Sequence, residues 1–108
     1  MGKFVLLTGS NGRYYFNLLA GNGKVILVSE GYETDAERNE HICSLQAHSF
    51  DEGKFERKIS AEGRYYFILK TADGEVIGKS ELYGSEAGRE NGIESVRNNA
   101  RVAEIEEE

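Results

Sequence analysis

Proline and tryptophan are absent from the 108 residues, and cysteine occurs once, at Cys43. Without proline the chain has no bends of fixed φ, so its reversals must come from glycine, of which there are 13. A lone thiol excludes an internal disulfide, and with it the disulfide-stapled class of small secreted domains. Basic residues are outnumbered, 13 Lys and Arg against 19 Asp and Glu, for a formal net charge of −6. That balance disfavours double-stranded nucleic acid and membrane surfaces as partners, because both are gripped by clustered cations. The opening MGKFVLLTGSNG holds too short an apolar run for a signal peptide or a membrane span. Leu6 stands where a myristoylation signal needs Ser or Thr. A cytoplasmic location is expected.

What the chain does have is a repeat. The pentapeptide GRYYF occupies 12–16 and again 63–67. Displacing the chain by 51 residues, the distance from Arg13 to Arg64, superposes Phe4 on Phe55, Leu18 on Leu69 and Val25-Ile26 on Val76-Ile77. The correspondence continues through Ser29-Glu30 and Ser80-Glu81, Tyr32 and Tyr83, Arg38 and Arg89, Ile42 and Ile93. One unit is written twice. Neither copy alone has apolar surface for a good core, whereas two copies sharing a sheet do. The expected organisation is a single domain over 1–108, built from repeats at about 3–53 and 54–105 and closed by an acidic tail at 106–108.

Within each copy the hydrophobic period changes from two to about 3.6, which predicts strands followed by a helix. Strands are expected at 4–8, 13–19 and 24–29, and the second copy is expected to open with a strand at 54–59. A short closing strand of the first copy is expected just before that, in SFDEGKFERKIS. Asn22-Gly23 and Asp73-Gly74 are hairpin signals of the two-residue type I′ kind. Thr34-Asp35-Ala36-Glu37 fits a capping box for a helix running to about residue 47. Ser85 caps the second helix without the returning Glu, since Gly88 fills that place. Val102 and Ile105 mark a last short strand. The fold class is therefore α+β: two strand-strand-strand-helix-strand repeats with pseudo-twofold symmetry, one antiparallel sheet, and both helices on one face.

NGKVILVSEGY, DGEVIGKSELY and ENGIESVRNNA resemble the YegP-like family of small bacterial and archaeal proteins of unknown function. The resemblance spans nearly the whole chain. It implies paired units in one sheet with exchanged last strands, and it supplies no catalytic residues. The first helix departs from the family's pattern, with NEHICSLQAHS at 39–49.

Pairing across the Asn22-Gly23 turn sets Leu18 opposite Leu27 and Ala20 opposite Val25. Tyr14, Phe16, Leu18, Val25 and Leu27 then share the face under the helices. The other face carries Arg13, Tyr15, Asn17, Lys24, Ile26 and Val28, and in the second copy Arg64, Tyr66, Ile68, Glu75, Ile77 and Lys79. Arg13 with Tyr15, and Arg64 with Tyr66, set a guanidinium beside an aromatic ring, a pairing suited to planar or anionic groups. These four are the expected ligand-binding residues, for a small planar or anionic ligand or a peptide. A plainer role, rings shielding the sheet with arginines laid along it, suits the same pattern.

The enzymatic alternative rests on Ser29, Glu30 and Tyr32, with Ser80, Glu81 and Tyr83, at the strand-to-helix junctions. Proton transfer would require these groups to converge, and their spacing does not demand it. His41 and His48 are two helical turns apart, about 10.5 Å, too far to share a metal, and their counterparts are Gly92 and Asn99. TGSNGR and AGNGKV lack the P-loop spacing and are turns. Neither metal nor cofactor is expected. The reading is a non-enzymatic binding or interaction module, monomeric because two repeats already form the pseudo-dimer. Self-association through an exposed edge such as 13–19 is the remaining alternative.

Overall fold

In a computed structural model, which describes residues 2–48, 54–71 and 74–107, the two repeats merge into one seven-stranded sheet. The strands are β1 (Lys3–Thr8), β2 (Tyr14–Leu19), β3 (Val25–Ser29), β4 (Phe55–Ile59), β5 (Tyr65–Lys70), β6 (Val76–Lys79) and β7 (Glu104–Glu107). Helix α1 (Asp35–His48) follows β3, and α2 (Glu86–Ala100) follows β6. Their order across the sheet is β4-β5-β6-β3-β2-β1-β7. Each repeat contributes an antiparallel three-stranded meander, and the two meet where β3 and β6 pair antiparallel through Val28 with Lys79 and Ser29 with Gly78. Val28 and Lys79 are equivalent positions in the repeat, so a local twofold passes between them.

The last strand is exchanged: β7, from the second repeat, pairs with β1 of the first. It does so in parallel, which makes the sheet mixed at that edge rather than wholly antiparallel. The strand also runs further than expected, since Glu106 and Glu107 of the anticipated tail pair with Val5 and Leu6. The closing strand anticipated for the first repeat lies outside the described residues. β2 has partners on both sides, so the edge proposed for self-association is interior to the sheet.

The Asn22-Gly23 turn is not type I′. Ala20 accepts from the Gly23 amide and donates to Lys24, and Gly23 alone of its turn has positive φ, +86°. This is a type I turn closed by a left-handed glycine. Gly9 to Arg13 and Ser60 to Arg64 make the same pair of bonds, with Gly12 at +80° and Gly63 at +81°. Thr71, Gly74 and Glu75 repeat them again, while Asp73 lies outside the described residues. Asn22 contributes through its side chain, whose Oδ1 accepts from the Lys24 amide at 3.0 Å.

The three-residue loop puts a bulge into each meander. Leu18 pairs with Leu27 as expected, but Leu19 then pairs with Val25, and Leu69–Gly78 is followed by Lys70–Val76. The extra residue, Ile26 or Ile77, turns inward beside its neighbour. Both isoleucines are buried members of the core, not open-face residues, and Val25 moves out to the side of Leu19.

The core lies between the sheet and the helices. Phe4, Phe16, Leu18, Leu27, Phe67 and Leu69 from the strands meet Ile42 and Leu45 of α1 and Ile93, Val96 and Ala100 of α2. Phe4 and Phe16 meet edge to face at 5.6 Å, and their counterparts Phe55 and Phe67 at 5.7 Å. Thr34 Oγ1 caps α1 by accepting from the Glu37 amide, and Glu37 returns to the amide of Glu33. Ser85 caps α2 through the Gly88 amide alone. No helix among the described residues is long and apolar enough to cross a membrane.

Candidate functional site

Tyr14 and Tyr65 lie on the helix side, each beneath a guanidinium from the first turn of a helix: Arg38 at 5.5 Å and Arg89 at 5.3 Å from the ring centroids. By strand alternation Tyr15 and Tyr66 are on the open face, where the spacing placed them. Across this face one row crosses all seven strands: Glu106, Val5, Asn17, Val28, Lys79, Ile68 and Glu56. At its far end Glu56 pairs with Lys70 at 2.5 Å and Lys58 at 2.9 Å. Those ammonium groups, Lys70 first, hold the Glu56 carboxyl at about 2, against an ordinary 4.5.

The two Arg-Tyr pairs have equivalent backbones and different surroundings. The Tyr15 ring lies between Gly9 and Gly31. A Cβ at Gly9 would come within 2.7 Å of it, and one at Gly31 within 3.0 Å of both the Tyr15 hydroxyl and Arg13 Cδ. Asn11 donates to the Tyr15 hydroxyl at 2.9 Å, and Arg13 Nη1 donates to the Gly31 carbonyl at 3.2 Å. The first pair is thus seated and hydrogen-bonded within the fold.

In the second copy Ser60 stands in place of Gly9 and Leu82 in place of Gly31. The Tyr66 hydroxyl and the Arg64 guanidinium make no hydrogen bond or ion pair among the described residues. Beside Tyr66 the added side chains border a depression of about 400 Å³, lined also by Val28, Lys79, Ser80 and Glu81. Val28 and Leu82 are exposed there, at 37% and 49%. Val28 alone of this lining comes from the first repeat, so the depression lies beside the local twofold, on the side of the second repeat.

The Ser-Glu-x-Tyr junctions do not converge. Ser29 Oγ accepts from the Phe16 amide at 2.8 Å and donates to the Glu30 carbonyl at 2.9 Å; Ser80 does the same with Phe67 and Glu81, at 3.0 and 2.8 Å. Both hydroxyls fill the ladder where the chain leaves the strand. Tyr32 donates to the Ile77 carbonyl at 3.2 Å, and burial, then the charges of Glu30, Glu75 and Glu37, pushes its phenol far up. Burial, and then Glu81, likewise raises Tyr83.

His41 stacks on Tyr32 at 4.8 Å and shares a hydrogen bond with the Glu37 carbonyl. Its counterpart Gly92 leaves room for the Tyr83 ring, which lies against it. Cys43 is an exposed thiol. Sequence reasoning aligned Arg38 with Arg89 and assigned them no role, although both are buried, at 6% and 8% exposure. Their signal was an arginine at the same early position of each helix.

The arrangement defines a class first: a duplicated α+β sheet protein with two helices on one face and an unevenly furnished second face. Two segments, 10–56 and 60–107, match the family described as Domain of unknown function (DUF1508). The chain belongs to that family. It is 41% identical to a UPF0339 protein of Acinetobacter baylyi over 106 residues, covering 98% of this chain and 96% of that one. It is 40% identical to the UPF0339 protein YegP of Yersinia pestis over 99 residues, covering 92% and 88%. The solution NMR structure of YegP from E. coli, described as a protein of unknown function, superposes with a TM-score of 0.93 at 36% identity, covering 98% and 91%. A UPF0339 protein of Shewanella oneidensis, also solved by NMR, gives 0.93 at 38%, covering 98% and 90%.

Proposed function

We propose that the protein is a non-catalytic binding module that holds one small planar anion on the open sheet face, in the depression beside Tyr66. The observation carrying this reading is the difference between equivalent tyrosines: Tyr15 is seated and bonded by its own repeat, whereas the Tyr66 hydroxyl makes no hydrogen bond among the described residues and the ring lies beside exposed Val28 and Leu82. An aromatic ring laid on Tyr66 would shed water against those aliphatic groups, and its carboxylate would meet the Lys79 ammonium, with Arg64 on the neighbouring stretch of strand. Tyr15 and Arg13 pack over Gly31 in the first copy, which disfavours the equivalent site there. Both junction serines already serve the backbone, which speaks against the enzymatic alternative. One copy suffices, because the depression draws on both repeats of the same chain.

Amide shift mapping of the labelled protein with benzoate and ring-substituted benzoates tests this. Perturbations are expected at residues 60, 66 and 79–82, lost in Tyr66→Ala and in Lys79→Glu. Leu82→Gly with Ser60→Gly, which reproduces the Tyr15 setting, is expected to abolish binding in a folded protein. Shifts that stay unchanged in Tyr66→Ala, or that fall around Tyr15 instead, would overturn the proposal.

A further inference from the structure

Arg38 is 6% exposed, and among the described residues it makes no ion pair. Its Nε donates to Asn39 Oδ1 at 3.2 Å, Nη1 reaches the Leu7 carbonyl at 3.4 Å, and Nη2 has no acceptor among the described residues. A guanidinium largely withdrawn from water without a counter-charge is costly, and such groups ordinarily have one. The repeat supplies the comparison. Arg89 has the same stacking on Tyr65 and the same kind of carbonyl bond, to Lys58 at 3.2 Å. It has in addition the Glu90 carboxylate, 3.3 Å from its Nε, which also takes Arg57 at 2.7 Å. In the first copy Asn39 replaces Glu90 and Leu6 replaces Arg57. The carboxylate has gone while the buried arginine that used it remains.

Beside Arg38 is a cavity of about 360 Å³ lined by Leu6, Thr8, Tyr14, Asp35, Arg38 and Glu107. Its volume lies in the range of small-ligand sites. Two features of the lining define the occupant. Arg38 offers its Nη2, a charged donor suited to a carboxylate. Asp35 and Glu107, both exposed, repel a dianion and attract a cation.

We propose that this cavity binds a zwitterion of the α-amino acid class, its carboxylate on Arg38 and its ammonium between Asp35 and Glu107. The carboxylate takes the Nη2 of Arg38, beside the Nε that Asn39 Oδ1 already holds as Glu90 holds that of Arg89. The site is on the helix side of the sheet and independent of the open face.

Calorimetry and amide shift mapping on the full chain, with glycine, alanine, acetate, methylammonium and inorganic phosphate as probes, test it. The amino acids are expected to perturb the amides of Thr8, Tyr14 and residues 35–39, and to bind about tenfold or more tighter than acetate or methylammonium. Asn39→Glu restores to Arg38 the internal partner that Arg89 has. It is expected to weaken amino-acid binding about tenfold or more while the unfolding midpoint stays equal or rises. Asp35→Asn with Glu107→Gln should bring amino acids down to the level of acetate. No perturbation at millimolar amino acid, equal binding in Asn39→Glu, or phosphate bound more tightly than glycine would each overturn the proposal.

Discussion

Gly78 lies so close to Val28 that a Cβ on it would sit 2.5 Å from the Val28 carbonyl oxygen. The obstacle is backbone of the facing strand, which cannot rotate aside. Gly78→Ala is therefore expected to pry β6 from β3 at the seam between the repeats, costing about 1–3 kcal/mol in urea unfolding. Gly31→Ala meets only the ends of the Arg13 and Tyr15 side chains, at 3.0 Å, and should cost less. Equal midpoints for Gly78→Ala and the parent would show that the seam is not close-packed.

Ser29 and Ser80 each supply a buried strand amide with its acceptor, at Phe16 and Phe67. Replacing either by Ala leaves that amide without a partner and is expected to cost about 1–3 kcal/mol. Hydrogen exchange gives the sharper readout. The Phe16 amide should lose protection in Ser29→Ala, and the Phe67 amide in Ser80→Ala, with little effect in the opposite repeat.

The turn before β3 discriminates between Asn22 and Gly23. Gly23→Ala forces a side chain into φ +86° and should destabilise by about 1–2 kcal/mol. Asn22→Gly gives up the bond to the Lys24 amide and adds chain entropy, for a loss of about 0.5–1 kcal/mol. A type I′ turn would instead welcome glycine at 22, so a more stable Asn22→Gly protein would refute the observed geometry.

Glu56 carries a pH signature. Its carboxyl titrates near 2 in the folded chain against an ordinary 4.5, first through Lys70 and then Lys58. A group depressed on folding contributes stability above its unfolded value, and that contribution is lost as the pH falls from about 4.5 toward 2. The carboxylate is at the surface, so the effect on stability is small. In Lys70→Met, carbon-detected titration should find the Glu56 carboxyl shifted upward. An unchanged titration would show that Lys70 does not hold it.

The strands and helices were legible because each copy confirms the other: Phe16 and Phe67, Leu18 and Leu69, Ile42 and Ile93 keep one pattern over the 51-residue displacement. The faces of Tyr14 and Tyr15 followed from alternation. Ile26 and Ile77 did not, because one extra loop residue moves the register, and period-two reasoning carries that error along the strand. The parallel course of β7 depends on a partner about a hundred residues away, a relation no local pattern records. Differences such as Gly31 against Leu82 were visible as letters. Their meaning required knowing that Tyr15 lies over residue 31.

The pairing of Val28 with Lys79 has a bearing on ancestry. Two identical copies meeting about such an axis must set each residue there against itself: valine facing valine, or one lysine's charge against another's. A gene that encodes both copies in tandem is released from that rule. Each side can mutate alone, and an axis once obliged to be self-matching becomes a place where an unlike pair, apolar against cationic, is inherited as a unit.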